Sequence, residues 1–352
     1  MKKNSKSAAP RALFGSAALA EWIREGGRAE RRIFAYRAQL RWQARWFEIN
    51  WRHQAQRLAE VTLPQNPVFI LGLWRCGTTV LHELLAAATQ WVTPQTWQCF
   101  NPSTCFLTGA PPHRAAGRPM DQGTIATHSP QEDEFALLLL GGESAYRAFI
   151  DPRRFAECAA SLAQARGSDL LRWQDFMRGL VSAQAASRLL LKSPGHTFRV
   201  PLLRDLFPQA RFVFIGRHTG ELLESNRRMW RAMLDTYALW ACPSGALENF
   251  LEQALGAYAR VVEQCLEEMP LERMMWLDFE TLRSDPGTTL RSVLRFLNVP
   301  DEKICQGIDE ALARIQVHPG QRAELPSTRI VERVETLRKA ALQRFAAAHS
   351  RA

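Results

Sequence analysis

Residues 67–82, Pro67-Val68-Phe69-Ile70-Leu71-Gly72-Leu73-Trp74-Arg75-Cys76-Gly77-Thr78-Thr79-Val80-Leu81-His82, decide the fold. Val68 to Leu71 is a short apolar run of strand type, Gly72 to Thr79 is a glycine-bounded turn, and Val80 to Ala88 continues as helix. A strand, a glycine turn and a helix N-terminus in that order make an anion site. Backbone N–H groups and the helix dipole both face the ligand. Gly72 and Gly77 have the G-x-x-x-x-G separation of a P-loop. The lysine that follows in a nucleotide triphosphatase is missing, and Thr78 stands there. That lysine grips the β- and γ-phosphates, so its absence argues against ATP or GTP hydrolysis. A cation lies inside the turn at Arg75, and Thr78 and Thr79 add hydroxyls. Such a turn suits a shorter phosphate-type anion held without a triphosphate grip.

Working outward, three later apolar runs read as buried strands: Leu189 to Leu191, Phe212 to Ile215 and Met274 to Leu277. Helical stretches are expected near 131–141, 153–165, 169–185, 197–207, 220–234 and 246–269. Strands alternating with helices predict an α/β fold, a P-loop-like and mostly parallel central sheet with helices on both faces. The expected organisation is a helical arm over residues 1–60, a catalytic domain over 61–315, and a C-terminal loop with a peripheral helix over 316–352.

Composition sets the remaining bounds. With 352 residues, 46% of them apolar and 23% charged, a chain disordered throughout is excluded. No uninterrupted apolar run of about 18 residues occurs, which argues against a spanning helix. The N-terminus is basic and then mildly apolar, without the clean apolar run of a signal peptide, and is expected to be a mature, cytoplasmic start. Seven cysteines, an odd number with no CxxC pair, point to a reducing compartment rather than a disulfide framework or a structural zinc site. The net charge is +10, of which residues 1–60 carry +8. The arm also carries two apolar stripes at helical spacing. Ile33, Tyr36, Leu40, Ala44, Phe47 and Trp51 form one; Trp42, Trp46 and Ile49 form the other, flanked by Arg41, Arg45 and Arg52. Gly26-Gly27 is expected to interrupt this helix near its start. Such a helix packs on its own domain, joins a second copy in a homodimer, or rests on the inner face of a membrane. No nucleic acid is expected as a partner.

The loop at 67–82 resembles the 5′-phosphosulfate loop of sulfotransferases, enzymes that use 3′-phosphoadenosine 5′-phosphosulfate (PAPS). The similarity is to the bacterial group related to tyrosylprotein sulfotransferases, whose loop carries Arg where the cytosolic enzymes carry Lys; here that residue is Arg75. Pro before this Arg and Ser after it are usual in the family, and this chain has Trp74 and Cys76. A second block agrees. Arg211-Phe212-Val213-Phe214-Ile215-Gly216-Arg217, with Ser225 eight residues on, matches the family's 3′-phosphate-binding Arg and Ser. Arg offers phosphate a planar fork, and Ser adds a hydroxyl. A third block, Trp276 to Leu282 with Asp285-Pro286 and then Leu294 to Pro300, resembles a structural strand, turn and helix of the family. The resemblance implies cofactor binding by Arg75, Cys76, Gly77, Thr78, Thr79, Arg217 and Ser225, and no metal.

Sulfuryl transfer needs an in-line arrangement and cations where negative charge develops. Lys192, at a strand end, matches the family lysine that assists the departing phosphate. The histidine of cytosolic enzymes would fall at Pro194; His196 lies two residues further. The tyrosylprotein enzymes use a Glu after the loop helix, and residues 92–98 contain none. Gln131-Glu132-Asp133-Glu134 offers three carboxylates in what reads as the first turn of a helix beginning at Ser129 or Pro130. Clustered like charges can raise one pKa toward a useful base. Glu132 or Glu134 is therefore the preferred base, with His196 second. Trp97, Phe100, Phe135 and Tyr146 are candidates for the acceptor pocket. The acceptor is expected to be a small molecule, lipid-like or amphipathic. Two rivals stay open here: an ATP-using, kinase-like transferase, and a non-catalytic protein that binds a membrane or partner.

Overall fold

The computed structural model describes residues 37–118, 123–163, 170–184, 188–314 and 328–349. The first part of the expected helical arm, with Gly26-Gly27, Ile33 and Tyr36, and the expected C-terminal loop up to residue 327 lie outside the described residues. The helices are α1 (Arg37–Leu58), α2 (Thr78–Thr89), α3 (Thr96–Cys99), α4 (Glu134–Leu139), α5 (Arg147–Ile150), α6 (Phe155–Ala163), α7 (Leu171–Gln184), α8 (Pro194–Thr197), α9 (Val200–Leu206), α10 (Thr219–Tyr237), α11 (Ala246–Glu268), α12 (Phe279–Ser284), α13 (Pro286–Phe296), α14 (Asp301–Arg314) and α15 (Arg329–His349). The strands are β1 (Val68–Leu71), β2 (Ala115–Gly117), β3 (Thr124–Ala126), β4 (Leu190–Lys192), β5 (Arg211–Gly216) and β6 (Met274–Asp278).

Four strands form the central sheet in the order β4-β1-β5-β6. All pairings are parallel, with Val68 opposite both Leu190 and Arg211, and Phe212 opposite Met274. Every residue of β1 and β4 is buried, as a sheet covered by helices on both faces requires. The parallel register brings the carboxyl ends Leu71, Lys192, Gly216 and Asp278 to one edge of the sheet, where α/β folds bind ligands. The β2–β3 pair is a small antiparallel outlier, with Ala116 opposite Ile125.

The two departures in the glycine turn are explained by packing. Trp74 is buried among aromatic rings, 5.4 Å edge-on from Trp230 and 5.9 Å from Phe250. Cys76 is buried as well, its thiol pressed towards Gly72. Both side chains anchor the turn to the core.

The helix behind the carboxylate cluster starts at Glu134, not at Ser129 or Pro130. The preceding stretch is held instead by chain pairing: Thr96 N–H donates to Ser129 O at 3.0 Å, and Gln131 N–H to Pro94 O at 2.9 Å. The final helix is not peripheral. Val334, Ala341 and Phe345 of α15 are buried in the core. Glu335 accepts from Thr219 N–H (3.2 Å) and its hydroxyl (3.1 Å), capping α10, while Arg338 pairs with Asp278 at the end of β6 at 2.5 Å. In α1 the two stripes separate as their spacing implies: Phe47 and Trp51 are buried, whereas Trp46 and Ile49 face outward. Among the described residues, no helix is long and apolar enough to cross a membrane.

Candidate active site

The turn between β1 and α2 is held from outside by three residues. Gly72 N–H donates to the Thr197 hydroxyl at 2.9 Å, and the same hydroxyl donates to Gly72 O at 3.1 Å. Asn226 Nδ2 donates to Trp74 O at 2.7 Å. Gly77, in the left-handed region with φ 102°, lies so close to Phe279 that a Cβ would sit 2.2 Å from its ring. Arg75 is left-handed as well, with φ 71°. The first turn of α2 carries no side-chain cap, so its N–H groups are presented to an anion.

Cations and hydroxyls gather around this turn. Lys192 ends β4 beside β1 and is only 2% exposed. Its Nζ donates to Glu132 Oε1 at 2.6 Å and to Thr79 Oγ1 at 3.3 Å. Arg217 follows β5; it pairs with Glu221 at 2.8 Å and lies 5.1 Å over the Phe279 ring. Ser225, buried on α10, accepts from Arg75 Nε at 3.2 Å. The sequence blocks placed Arg75 on the sulfate side and Ser225 on the 3′ side; the fold brings the two side chains together. Burial pushes the Cys76 thiol up to about 12 against the opposing pull of Arg217 and Lys192. Its N–H is turned to Leu73 O at 3.4 Å. The Cys76 side chain thus packs the turn from within.

The three successive carboxylates point to three different partners. Glu132 Oε2 accepts from the Tyr146 hydroxyl, and its other oxygen faces Lys192. Asp133 Oδ2 meets His196 Nε2 at 2.5 Å and accepts from Trp173 Nε1 at 2.6 Å. Glu134 is clasped by Arg199 through two hydrogen bonds of 2.7 and 2.9 Å, and accepts from the Ser193 hydroxyl at 2.9 Å. Burial alone would raise the Glu134 pKa, but Arg199 overrides it and holds the carboxyl at about 2. Glu134 is therefore a buried ion-pair member and no proton acceptor near neutral pH. His196 is fully buried, edge-on to Phe69 and Trp173 at 5.6 and 5.4 Å, and does not reach the crevice. Both corrections leave Glu132 as the carboxylate beside the cations. His82, one turn into α2, binds Thr93 Oγ1 at 2.6 Å; burial first and Lys192 second hold its imidazole well below the ordinary range.

The four aromatic candidates divide. Phe100, Phe135 and Tyr146 form a run with centroid separations of 4.9 and 5.1 Å, ending at Glu132. Trp97 turns the other way, donating to Gln95 Oε1 at 2.8 Å and lining a cavity of about 540 Å³ with Gln54, Arg57 and Phe106. Sequence reasoning missed Arg199, Thr197 and Glu221. Glu221 was legible, since it stands four residues after Arg217 at a helix start. Arg199 was not, because 65 residues separate it from Glu134. Among the described residues, no group of three or more His, Cys, Asp or Glu side chains is placed to hold a metal ion.

Comparison with known proteins agrees with this geometry. Residues 67–303 match the model of the sulfotransferase family. The chain is 30% identical over 260 residues to omega-hydroxy-beta-dihydromenaquinone-9 sulfotransferase Stf3 of Mycobacterium bovis and of Mycobacterium tuberculosis. That match covers 70% of this chain and 66% of the relatives' length. Among solved structures, sulfotransferase STF1 from Mycobacterium tuberculosis superposes with a TM-score of 0.61 at 18% identity, covering 94% of this chain and 92% of that one. Sulfotransferase STF9 from Mycobacterium avium gives 0.60 at 20% identity, covering 82% and 79%. At those identities the structures speak for the fold.

Proposed function

The chain belongs to the sulfotransferase family, and from that premise we propose that it moves the sulfuryl group of PAPS to a hydroxyl or amine of an amphipathic, lipid-like acceptor. The observation that carries this reading is the position of Lys192, hydrogen-bonded to Thr79 of the glycine turn on one side and to Glu132 on the other. A cation for a departing phosphate oxygen and a carboxylate for a hydroxyl proton thereby adjoin.

The donor set fits PAPS. The uncapped first turn of α2, with the Thr78 and Thr79 hydroxyls, suits the 5′-phosphosulfate. Arg217, Ser225 and Arg75 suit the 3′-phosphate, with Arg217 exchanging Glu221 for phosphate oxygens. PAPS supplies the sulfuryl group and a phosphate as leaving group. Lys192 Nζ stabilises the charge that develops on the leaving oxygen. Glu132 accepts the acceptor's proton and is oriented by the Tyr146 hydroxyl. Asp133–His196 and Glu134–Arg199 tie together the backbone that follows Glu132 and the backbone that follows Lys192.

The relatives' name specifies an omega-hydroxy compound, which supports a hydroxyl acceptor. The run Phe100, Phe135 and Tyr146 supplies an apolar approach to Glu132. Seven free thiols support a reducing, cytoplasmic setting.

The test is PAPS consumption, read as release of 3′-phosphoadenosine 5′-phosphate, against a panel of long-chain and aromatic alcohols and amines. Glu132→Gln and Lys192→Met are each expected to lower kcat about 10²- to 10⁴-fold. Turnover unaffected by both substitutions, or phosphate release from ATP with magnesium in its place, would overturn the assignment.

A further inference from the structure

The outward face of α1 is left uncovered among the described residues. Four large apolar side chains are exposed on the described surface, and two of them, Trp46 (57%) and Ile49 (50%), share this face. A third, Leu171 (62%), begins α7 next to Arg172, whose guanidinium holds Glu48 of α1 at 2.7 Å. Arg45, Arg52 and Arg57 lie on the same outward side and are exposed. None of the three has an ion-pair partner among the described residues, unlike the exposed Arg231, which pairs with Glu248, and Arg333, which pairs with Glu263.

We propose that this face of α1 docks the protein on an anionic lipid bilayer, with Trp46 and Ile49 in the headgroup boundary and Arg45 and Arg52 against the lipid phosphates. Charge complementarity selects the occupant. An isologous contact between two copies would bring these arginines together, and like charges across an interface are unfavourable. Two or three apolar side chains also fall far short of the roughly 1,000 Å² that a stable dimer needs. The same two features suffice for reversible interfacial binding, in which a few apolar groups add to the attraction of basic residues for anionic headgroups. Phe47, Trp51 and Leu58 hold the opposite side of the helix in the core, so α1 lies along the surface and does not enter the bilayer end-on. The helix that rests on lipid also forms, through Arg57 and Leu58, one wall of the cavity beside Trp97. Docking stands independently of the sulfuryl transfer proposed above, and its readout needs neither PAPS nor acceptor.

The experiment is co-sedimentation of the full chain with phosphatidylglycerol vesicles and with phosphatidylcholine vesicles, at low and at about 0.5 M salt. Wild type is compared with Trp46→Ser/Ile49→Ser and with Arg45→Glu/Arg52→Glu, each checked for an unchanged thermal midpoint. Binding to phosphatidylglycerol only, weakened by salt and reduced about tenfold or more in both double variants, is expected. Equal binding by all three proteins, no binding to either vesicle, or equal binding to both lipids would overturn the proposal. So would sedimentation velocity without lipid that shows a wild-type dimer turned monomeric by Trp46→Ser/Ile49→Ser, which would assign the face to a second copy.

Discussion

Glu132 and Glu134 stand two positions apart and do opposite work. Glu134 is buried against Arg199, so Glu134→Gln leaves a cation uncompensated in the core, a loss of about 3–5 kcal/mol. Its folded pKa of about 2 lies below the ordinary carboxyl value of 4.5. The stabilisation is therefore present in full above about 4.5 and is lost as pH falls towards 2, amounting to on the order of 3 kcal/mol. Denaturant unfolding from pH 6 to pH 2 is expected to show this acid loss in wild type and a shallower slope in Glu134→Gln. Glu132→Gln takes a carboxylate from the buried Lys192 and so also lowers the unfolding midpoint, but it is expected to retain the acid loss that Glu134 contributes and to lower kcat. A reversed pattern would exchange the two roles. The sequence showed three adjacent acids but not where each would point. A helix starting at Ser129 or Pro130 would have placed them in one dipole-facing turn. The start at Glu134 lets each leave the chain in its own direction, and that start depends on pairing with residues 94–97.

At the scale of elements, the strand, turn and helix of β1–α2 were legible, with the helix starting at Thr78, two residues before the expected Val80, because a buried strand, two glycines and a helix start are local signals. Less legible was what holds the turn still. Thr197, Asn226 and Phe279 arrive from elements 120 or more residues away. Gly77→Ala combines a left-handed backbone with a Cβ 2.2 Å from the Phe279 ring. A loss of about 2 kcal/mol or more, read as a lower thermal midpoint, is expected. The Arg217–Glu221 pair yields another expectation. Glu221→Gln removes the carboxylate that competes with phosphate for Arg217 and should tighten binding of 3′-phosphoadenosine 5′-phosphate severalfold. Weaker binding would mean that Glu221 orients Arg217 for the ligand and does not compete with it.

At the scale of the whole molecule, the alternation of strands and helices predicted the parallel sheet, and with it the edge where Lys192, Arg217 and the turn meet. The part played by α15 was not readable, since a basic amphipathic helix at the end of a chain carries no mark of where it packs. Its Glu335 caps α10, which bears Ser225, and its Arg338 ties the end of β6. Glu335→Ala is therefore expected to weaken nucleotide binding with little effect on kcat at saturation, a KM effect transmitted through α10. The most direct test of PAPS dependence is calorimetric titration with 3′-phosphoadenosine 5′-phosphate, beside ADP and ATP, for wild type and Arg217→Ala. Metal-independent binding that prefers the 3′-phosphorylated nucleotide, and falls about tenfold to a hundredfold in Arg217→Ala, is the expected result. No binding of that nucleotide, or a preference for ATP with magnesium, would contradict it.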